Sequence, residues 1–398
     1  MKNRFICSAA LLAAFATSAP ALAQEQTPYV ASDAATTAGD FDKFVPRPSK
    51  QTALDYAIWQ DALQYMVLRM GLSTRDGATR PDPTLGSRRV WGHDSRVRME
   101  GNRIPFSLMD EAAIATFTEY RQDLEQIGTQ LDIASLPRDE QLAYWINLHN
   151  VAMIEQIALN YPVKAPSRLL LGENKTPLDV TPFITVAGVS MSPKDIRTRI
   201  VYPNWKDPKV IYGFFRGDVG SPSIQREAHT GENIDRLLLE GANEFVNSLR
   251  GVEGYGKNLL VSAIYEEAAP FYFPQMGADL KQHLSRYAEE EVKELLASKS
   301  EVKVNQYEET VADLAGGQRE PTYNTVYSDG QAVGFRIPSS VARYLAERTQ
   351  KYEKLRKEGR TGRVFIMPGD GSDLIGAEGE ETQDEETVTE TVESPSAG

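Results

Sequence analysis

Two residues in this sequence have the types and surroundings that hydrolytic chemistry needs. Ser221 ends the glycine-rich stretch Gly217-Asp218-Val219-Gly220-Ser221-Pro222. A turn of this kind can expose a hydroxyl and point backbone N–H groups at an oxyanion. A serine becomes nucleophilic only beside a base, and imidazole suits that role because it titrates near neutrality. His149 is the best placed of the four histidines because it lies on the most informative predicted helix, 138–160. Ser221 and His149 are therefore the candidate catalytic pair. Ser-Pro-Ser is, however, a common turn composition, and a lone histidine on a buried helix is more often a hydrogen-bonded core residue.

The helix that carries His149 holds a second group of candidates. Asn147 and Asn150 are three residues apart and share one side of it with Tyr144 and Ala143, and Trp145 directly follows Tyr144 in the chain. Apolar residues surround these positions, which predicts a central, buried helix. Buried amides must find hydrogen-bond partners. Tyr144, Trp145, Asn147 and Asn150 are thus predicted either to clamp the backbone of a neighbouring loop or to hold the polar groups of a ligand.

The sequence contains no residue pattern typical of a metal or cofactor site. The chain has four histidines and one cysteine, and no two histidines have the spacing of metal ligands. The only cysteine, Cys7, lies in a segment that we expect to be removed. Carboxylate pairs such as Glu266-Glu267 are what an acidic chain supplies by chance. We therefore predict no metal and no cofactor.

The N-terminus has the pattern of a cleaved secretion signal. Two basic residues, Lys2 and Arg4, precede an apolar run that ends near Thr17, and Ala21-Leu22-Ala23 completes the pattern. The run is too short to span a bilayer, and no later stretch reaches the length that a spanning helix needs. We expect cleavage after Ala23, no transmembrane segment, and a cysteine-free mature chain in a bacterial periplasm.

The charge is negative overall and unevenly distributed. The formal net charge is −13, which argues against a nucleic-acid partner. From Asp370 to the end there are ten acidic residues and no basic one, a composition typical of disorder. The predicted divisions are a signal peptide (1–23), a flexible lead-in (24–45), a main globular domain (46–317), a hairpin and basic helix extension (318–367) and an acidic disordered tail (368–398).

Hydrophobic periodicity and turn residues predict an α+β fold, mostly helical with a small β-sheet, followed by a C-terminal hairpin and helix. The predicted helices cover about 52–70, 110–127, 138–160, 231–249, 279–297 and 339–358. The predicted strands cover 183–189, 209–215 and 259–264, and the predicted hairpin pairs 322–327 with 331–336.

A long loop at 72–105 separates the first two predicted helices and contains seven arginines. Loops of this length inside a domain are usually functional or mobile. One interpretation is a solvated surface excursion, and another is a site for an anionic glycan or a phospholipid headgroup.

The helix motif Leu142-Ala143-Tyr144-Trp145-Ile146-Asn147-Leu148-His149-Asn150 resembles the signature of domain-of-unknown-function family 547. Further matches follow in order: Ser192-Pro193-Lys194-Asp195-Ile196, Asp207-Pro208-Lys209-Val210, the glycine-rich loop, and Leu260-Val261-Ser262-Ala263-Ile264. The resemblance covers about 52–317. It implies a histidine at the position of Ile211 and a cysteine at the position of Ser221, so this chain departs from that pattern at both.

Two hypotheses from different classes follow. The first is a non-catalytic periplasmic binding or envelope-associated protein on a degenerate family scaffold, whose partner is a small molecule or an envelope component. The alternative is a hydrolase or acyl-transfer enzyme that uses Ser221 with a histidine base. The sequence alone leaves open whether the chain is an enzyme, what its ligand is, and what its oligomeric state is.

Overall fold

The computed structural model describes residues 38–83, 88–320, 323–328 and 331–360. The helices are α1 (Ala57–Met66), α2 (Glu111–Gln130), α3 (Arg138–Leu159), α4 (Pro193–Asp195), α5 (Tyr202–Asn204), α6 (Ile234–Val246), α7 (Ile264–Tyr272), α8 (Met276–Ser285), α9 (Glu290–Ser298) and α10 (Ser339–Lys357). A π-helix, Ile196–Val201, joins α4 to α5. The strands are β1 (Leu170–Leu171), β2 (Thr176–Pro177), β3 (Ile184–Val186), β4 (Val189–Met191), β5 (Val252–Tyr255), β6 (Asn258–Ser262), β7 (Glu301–Gln306), β8 (Tyr323–Ser328) and β9 (Gln331–Pro338).

Helix α3 is the centre of the fold. Asp139 and Glu140 lie in its first turn, where negative charge favours the helix dipole. Every residue from Glu140 to Glu155 is buried. Helix α2 runs beside it, and the hydroxyl of Tyr144 donates to the carbonyl of Leu124 at 2.9 Å. Because all sides of α3 are covered, each polar side chain on it needs a partner inside the protein.

The sheets are small and lie around this helical core. The pairs β1–β2, β3–β4 and β8–β9 are antiparallel two-stranded ribbons. The largest sheet has the order β5-β6-β7, antiparallel between β5 and β6 and parallel between β6 and β7. The predicted α+β class with dominant helices is therefore confirmed.

Most predicted elements occur, with three corrections. The single strand predicted at 183–189 is the hairpin β3–β4, which turns at Ala187-Gly188. The strand predicted at 209–215 is wrong: Pro208–Gly213 form a 3-10 helix. Asp207 starts it by accepting from the backbone N–H of Lys209, and Pro208 has the fixed φ suited to a first helical turn. The single helix predicted at 279–297 is two helices, α8 and α9, with a break between them.

The long arginine-rich loop packs against the C-terminal helix. Between 67 and 105 the described residues form isolated bridges and turns, such as the pairing of Leu68 with Arg103. A second, smaller hydrophobic cluster joins this loop to α10 through Met70, Leu314, Val341 and Tyr344. The hydroxyl of Tyr344 donates to the carbonyl of Arg98 at 2.7 Å.

Several predictions fall outside the described residues. These are the signal peptide at 1–23, most of the lead-in at 24–45 and the acidic tail at 368–398. The division into a main domain and an extension stays a prediction. Within the described ranges, no helix has the length and apolar character needed to cross a membrane.

Candidate functional site

Ser221 lies in a tight turn and is fully buried, with 0% of its surface exposed. Its hydroxyl donates to the carbonyl of Asp218 at 2.9 Å and accepts from the backbone N–H of Arg216 at 3.1 Å. Its own N–H donates to the Asp218 carboxylate at 3.0 Å, and Arg250 donates to its carbonyl. Among the described residues no hydrogen bond joins Ser221 to a histidine. Both hydrogen-bonding roles of the hydroxyl are therefore occupied by backbone groups of its own loop.

The two asparagines of α3 each hold a separate stretch of backbone. Asn147 donates to the carbonyl of His229 at 2.7 Å and accepts from the N–H of the same residue at 3.1 Å. Asn150 donates to the carbonyl of Gly213 at 2.9 Å and accepts from the N–H of Phe215 at 3.0 Å. These bonds fix the segments on either side of the Ser221 turn to the central helix.

Tyr144 and Trp145 are both fully buried in the core. The Trp145 ring makes edge contacts with Phe44 and Tyr144, at centroid distances of 5.0 Å and 4.9 Å. Burial raises the pKa of Tyr144 well above its usual value. These two residues lie on the part of α3 that packs inward, and they line no described groove.

His149 lies between an amide and a buried arginine. Its Nδ1 is 3.0 Å from Oδ1 of Asn150, and its Nε2 is 2.9 Å from a guanidinium nitrogen of Arg197. Asn150 must present its oxygen here because the same oxygen accepts from the Phe215 N–H. Nδ1 therefore carries the proton, and Nε2 accepts from Arg197. Burial first, and then the charge of Arg197, lower the pKa of His149 to about 3.

Arg197 is the centre of a buried charge cluster that sequence reasoning missed. It is completely buried and forms paired bonds with Asp179, at 2.8 and 2.7 Å, and with Glu267, at 2.8 and 2.9 Å. Arg216 also donates to Glu267, at 2.8 Å. Burial opposes charge on Glu267, but Arg197 and Arg216 outweigh it and lower the pKa of that carboxyl to about 2. The two arginines and two carboxylates balance, so the cluster carries no net formal charge.

Asp218 is a buried acid on the other side of the same loop. Its side chain accepts from the hydroxyl of Tyr307 at 2.8 and 2.9 Å and from the N–H of Ser221 at 3.0 Å. Burial raises the pKa of Asp218 to about 7, and the Tyr307 hydrogen bond and the Arg216 charge only partly offset this effect. An acid with this pKa exchanges its proton near neutral pH.

A surface groove of about 740 Å³ lies next to Asp218 and Tyr307. Its walls are the chain after α3 and the segment after β7; the lining residues are Asn160, Pro162, Val163, Lys164, Ala165, Arg168, Leu169, Tyr307, Glu308, Glu309 and Thr310. The volume is in the range of small-molecule sites. The groove mixes apolar side chains with both signs of charge, and it is separated from Ser221 by Tyr307 and Asp218.

The arginines of the 72–105 loop mostly bind the protein itself. Arg75 donates to Glu291 at 2.7 Å, and Arg96 makes a paired bond with Glu253 at 2.7 and 2.8 Å. Arg98 pairs with Glu347 of α10 at 2.7 and 3.1 Å, and buried Arg103 donates to backbone carbonyls such as that of Arg98 at 2.7 Å. These four guanidinium groups act as internal ties, which favours neither a solvated excursion nor an anion site.

Metal ligation has no site among the described residues, where no three histidine, cysteine or acidic side chains are grouped to hold an ion. All four histidines are buried, and burial is the first cause that lowers the pKa of each of them.

The sequence carried little signal for the residues that were missed. Arg197 lies in the mixed segment Ile196-Arg197-Thr198-Arg199-Ile200-Val201, where nothing local distinguishes this buried arginine from the partly exposed Arg199. Glu267 belongs to the pair Glu266-Glu267, which the composition of an acidic chain could supply by chance. Glu267 accepts from Arg197 in the cluster, and among the described residues no hydrogen bond joins Glu266 to the cluster. Nothing local connects Asp179, Arg197 and Glu267, which are far apart in the chain.

Residues 133–246 match the model of the family described as a protein of unknown function, DUF547. This match includes α3 and the Ser221 turn, and it lies inside the range over which the sequence resembles that family. Comparison with curated proteins and with solved structures found no match. Asp179, Arg197 and Arg216 fall within the matched range, whereas Glu267 and Tyr307 lie beyond it.

Proposed function

We propose that this chain is a non-catalytic binding protein that is exported to the periplasm, where it associates with a small molecule or an envelope component. The residues with the chemistry for hydrolysis serve the fold instead. Ser221 closes a buried turn, and the asparagines of α3 hold the loop backbone around it.

One observation carries the proposal: the lone pair on Nε2 of His149 already accepts a hydrogen bond from Arg197. A neutral imidazole has one nitrogen that accepts a proton, and in His149 that nitrogen is Nε2. It faces Arg197, whose guanidinium stays protonated at any physiological pH. To act as a base, His149 would have to become a cation in contact with a buried cation. Its lowered pKa, about 3, follows from the same burial and charge.

The groove beside Tyr307 is the surface that we assign to ligand binding. It offers apolar contacts from Val163 and Leu169 and polar groups from Asn160 and Thr310. Lys164 adds a positive charge at the surface. Small-molecule sites commonly combine apolar walls with a few placed polar groups.

Export is supported by the basic start, apolar run and Ala-x-Ala ending of the N-terminus. Fractionation of cells that express the full chain with a C-terminal tag tests it. We expect the tag in the periplasmic fraction on a chain shortened by about two dozen residues, as the signal pattern implies. A full-length chain in the cytoplasm would contradict this part of the proposal.

The absence of catalysis is tested with p-nitrophenyl acetate and p-nitrophenyl butyrate as acyl-transfer probes. Wild-type protein, Ser221→Ala and His149→Gln are all expected to match the uncatalysed rate. Ser167→Ala is the matched control, because Ser167 is exposed and lies outside the Ser221 turn. Turnover by the wild type and Ser167→Ala that is lost in folded Ser221→Ala would replace this proposal with the hydrolase alternative.

A further inference from the structure

The last residue of β7 and the short segment after it cross directly over the Ser221 turn. This strap, Gln306–Ala312, accepts from the turn through two carbonyls: Val219 donates to Thr310 and Gly220 donates to Glu308, both at 2.8 Å. The strap also donates back, from Ala312 to the carbonyl of Gly217 at 2.9 Å. Its far side is tied to the wall of the groove by a bond from Val311 to the carbonyl of Lys164 at 2.9 Å.

Gly220 shows how closely the strap approaches. A Cβ placed on Gly220 would lie 2.5 Å from the backbone nitrogen of Glu308 and 2.9 Å from its oxygen. Backbone atoms cannot yield as a flexible side chain does, so a larger residue at 220 would displace the strap. The strap is thus in van der Waals contact with the turn over its central residues.

Asp218 lies in this contact, and it is only 3% exposed. Its carboxyl group meets the strap through the hydroxyl of Tyr307, which also lines the groove. The strap is anchored at both ends: Gln306 donates to the carbonyl of Leu249, and the side chains of Val311 and Ala312 are buried in the core. Between these ends Glu309 pairs with Arg168 on the groove wall, and the Tyr307 hydroxyl joins the strap to the turn. The protonation state of one buried carboxyl group therefore bears directly on the contact between strap and turn.

We propose that the strap is a proton-dependent cover: it is closed over the Ser221 turn when Asp218 is protonated, and it opens more often as Asp218 ionises. Opening moves Tyr307 and exposes Asp218 and the Ser221 turn to the groove. The cover controls access from the groove to this polar interior, and the inference does not depend on what the groove binds.

The charged and titratable groups around Asp218 determine the direction of the effect. Arg216 on its own loop favours the ionised form, and Tyr307 on the strap donates to it. Arg250 bonds to the carbonyls of Val219 and Ser221 and is itself paired with Glu244. Glu308 on the strap directs its carboxylate to Thr310. Burial outweighs the favourable groups and raises the pKa of Asp218 to about 7 in the closed state.

The direction of the pH effect follows from the difference between the pKa of Asp218 in the closed state and its pKa in the open state. The closed state holds the proton up to about pH 7, while an exposed aspartate releases it near its ordinary pKa of about 4. Closure is therefore fully favoured below about pH 4 and is weakened as the pH rises toward 7. One proton is released on opening in this window, so the opening constant should rise up to about tenfold per pH unit and level off above pH 7.

Hydrogen exchange of the full chain tests the cover directly. Exchange is followed between pH 5 and 8 with labelling times scaled to the intrinsic rates, on peptides that contain Val219 and Gly220 and on peptides that contain the strap. We expect their opening constants to rise between pH 5 and 7 and to level above pH 7. In Asp218→Asn the constants should not change with pH. Glu301→Gln is the matched control, because Glu301 is an exposed carboxylate of β7 that pairs with Lys257 and lies outside the strap and the groove, and it should behave as the wild type.

Two outcomes would overturn the proposal. One is an opening constant of the wild-type strap that is the same at pH 5 and pH 7. The other is a pH dependence that survives in Asp218→Asn. Hydrogen exchange of the wild type across the pH series tests the proposal even if Asp218→Asn folds poorly. Peptides of α3 provide an internal reference, since the buried histidines predict that the protection of α3 falls in acid, the opposite direction to the strap.

Discussion

At the scale of single residues, the chemistry-bearing side chains of this protein are explained by hydrogen bonds within the fold. Ser221 bonds to its own loop, and His149 joins Asn150 to Arg197. The central residue is Arg197, because one guanidinium satisfies two carboxylates and an imidazole with no solvent contact. A buried charge of this kind stabilises the structure only while all its partners are present.

The first prediction concerns this arginine. Arg197→Met should lower the free energy of unfolding by about 3–5 kcal/mol, because it removes the buried guanidinium that pairs with Asp179 and Glu267 and leaves Glu267 with Arg216 alone. Urea unfolding near pH 7.5 measures the effect. The matched control is Arg236→Met, since Arg236 lies exposed on α6 and pairs with Glu227 and Glu240. That change should cost less than about 1 kcal/mol. Equal costs at the two positions would show that the cluster contributes no more than a surface pair.

The sequence predicts α3 and its polar residues but not the residues that they contact. Asn147 and Asn150 were recognisable because helical spacing places them on one side of a helix with apolar surroundings. Arg197 and Glu267 were not, because a buried ion pair is defined by tertiary packing and leaves only single unusual residues in the sequence. The sequence therefore predicts best those features that the residues of a single helix determine, such as the shared side of Asn147 and Asn150.

At the scale of elements, the clearest error was the strand predicted at 209–215. Val210, Ile211 and Tyr212 are residues typical of strands, but Asp207-Pro208 is a helix-start pair, and here it determined the outcome. The hairpin β8–β9 and the helix α10 were predicted correctly because their turn residues and apolar spacing are local signals. The contact between α10 and the arginine-rich loop had no local signal.

This contact leads to the second prediction. Arg98 has a buried side chain and pairs with Glu347 on α10, so it ties the loop to the helix. Arg98→Met should leave the core folded but expose the 72–105 loop to limited trypsin or chymotrypsin digestion at a faster rate. Arg80→Met removes an exposed arginine of the same loop, 3.8 Å from Asp94, and should not change the rate beyond the loss of its own cleavage site. Unchanged chymotrypsin digestion of Arg98→Met would show that the pair does not hold the loop.

At the scale of the whole molecule, all four histidines are buried in the neutral form. Burial lowers the pKa of His93, His149 and His229 to about 3 and that of His283 to about 4. In the unfolded chain each takes up a proton near pH 6.5. The folded-state pKa is the lower one, so these residues stabilise the fold above about pH 6.5, and that contribution is lost as the pH falls toward 4. Asp218 acts in the opposite direction over part of this range.

The third prediction is therefore a strong acid sensitivity. The free energy of unfolding should fall between pH 7 and pH 5, with each histidine contributing up to about 1.4 kcal/mol per pH unit. His229 is the cleanest single test because burial alone lowers its pKa. His229→Leu should reduce the slope by about one proton, as measured by urea unfolding across the pH series. A slope near zero in the wild type would contradict the burial of neutral histidines.

The most direct test of the central claim is nitrogen-15 NMR of the histidine side chains, with His149 assigned by comparison with His149→Gln. The account predicts a neutral imidazole with its proton on Nδ1 and an acceptor at Nε2, unchanged from pH 8 down to pH 5. His149 would then be unable to act as the base for Ser221, as the proposed non-catalytic function requires. A His149 signal that titrates between pH 6 and 8, or that carries its proton on Nε2, would contradict the account and restore His149 as a candidate catalytic base.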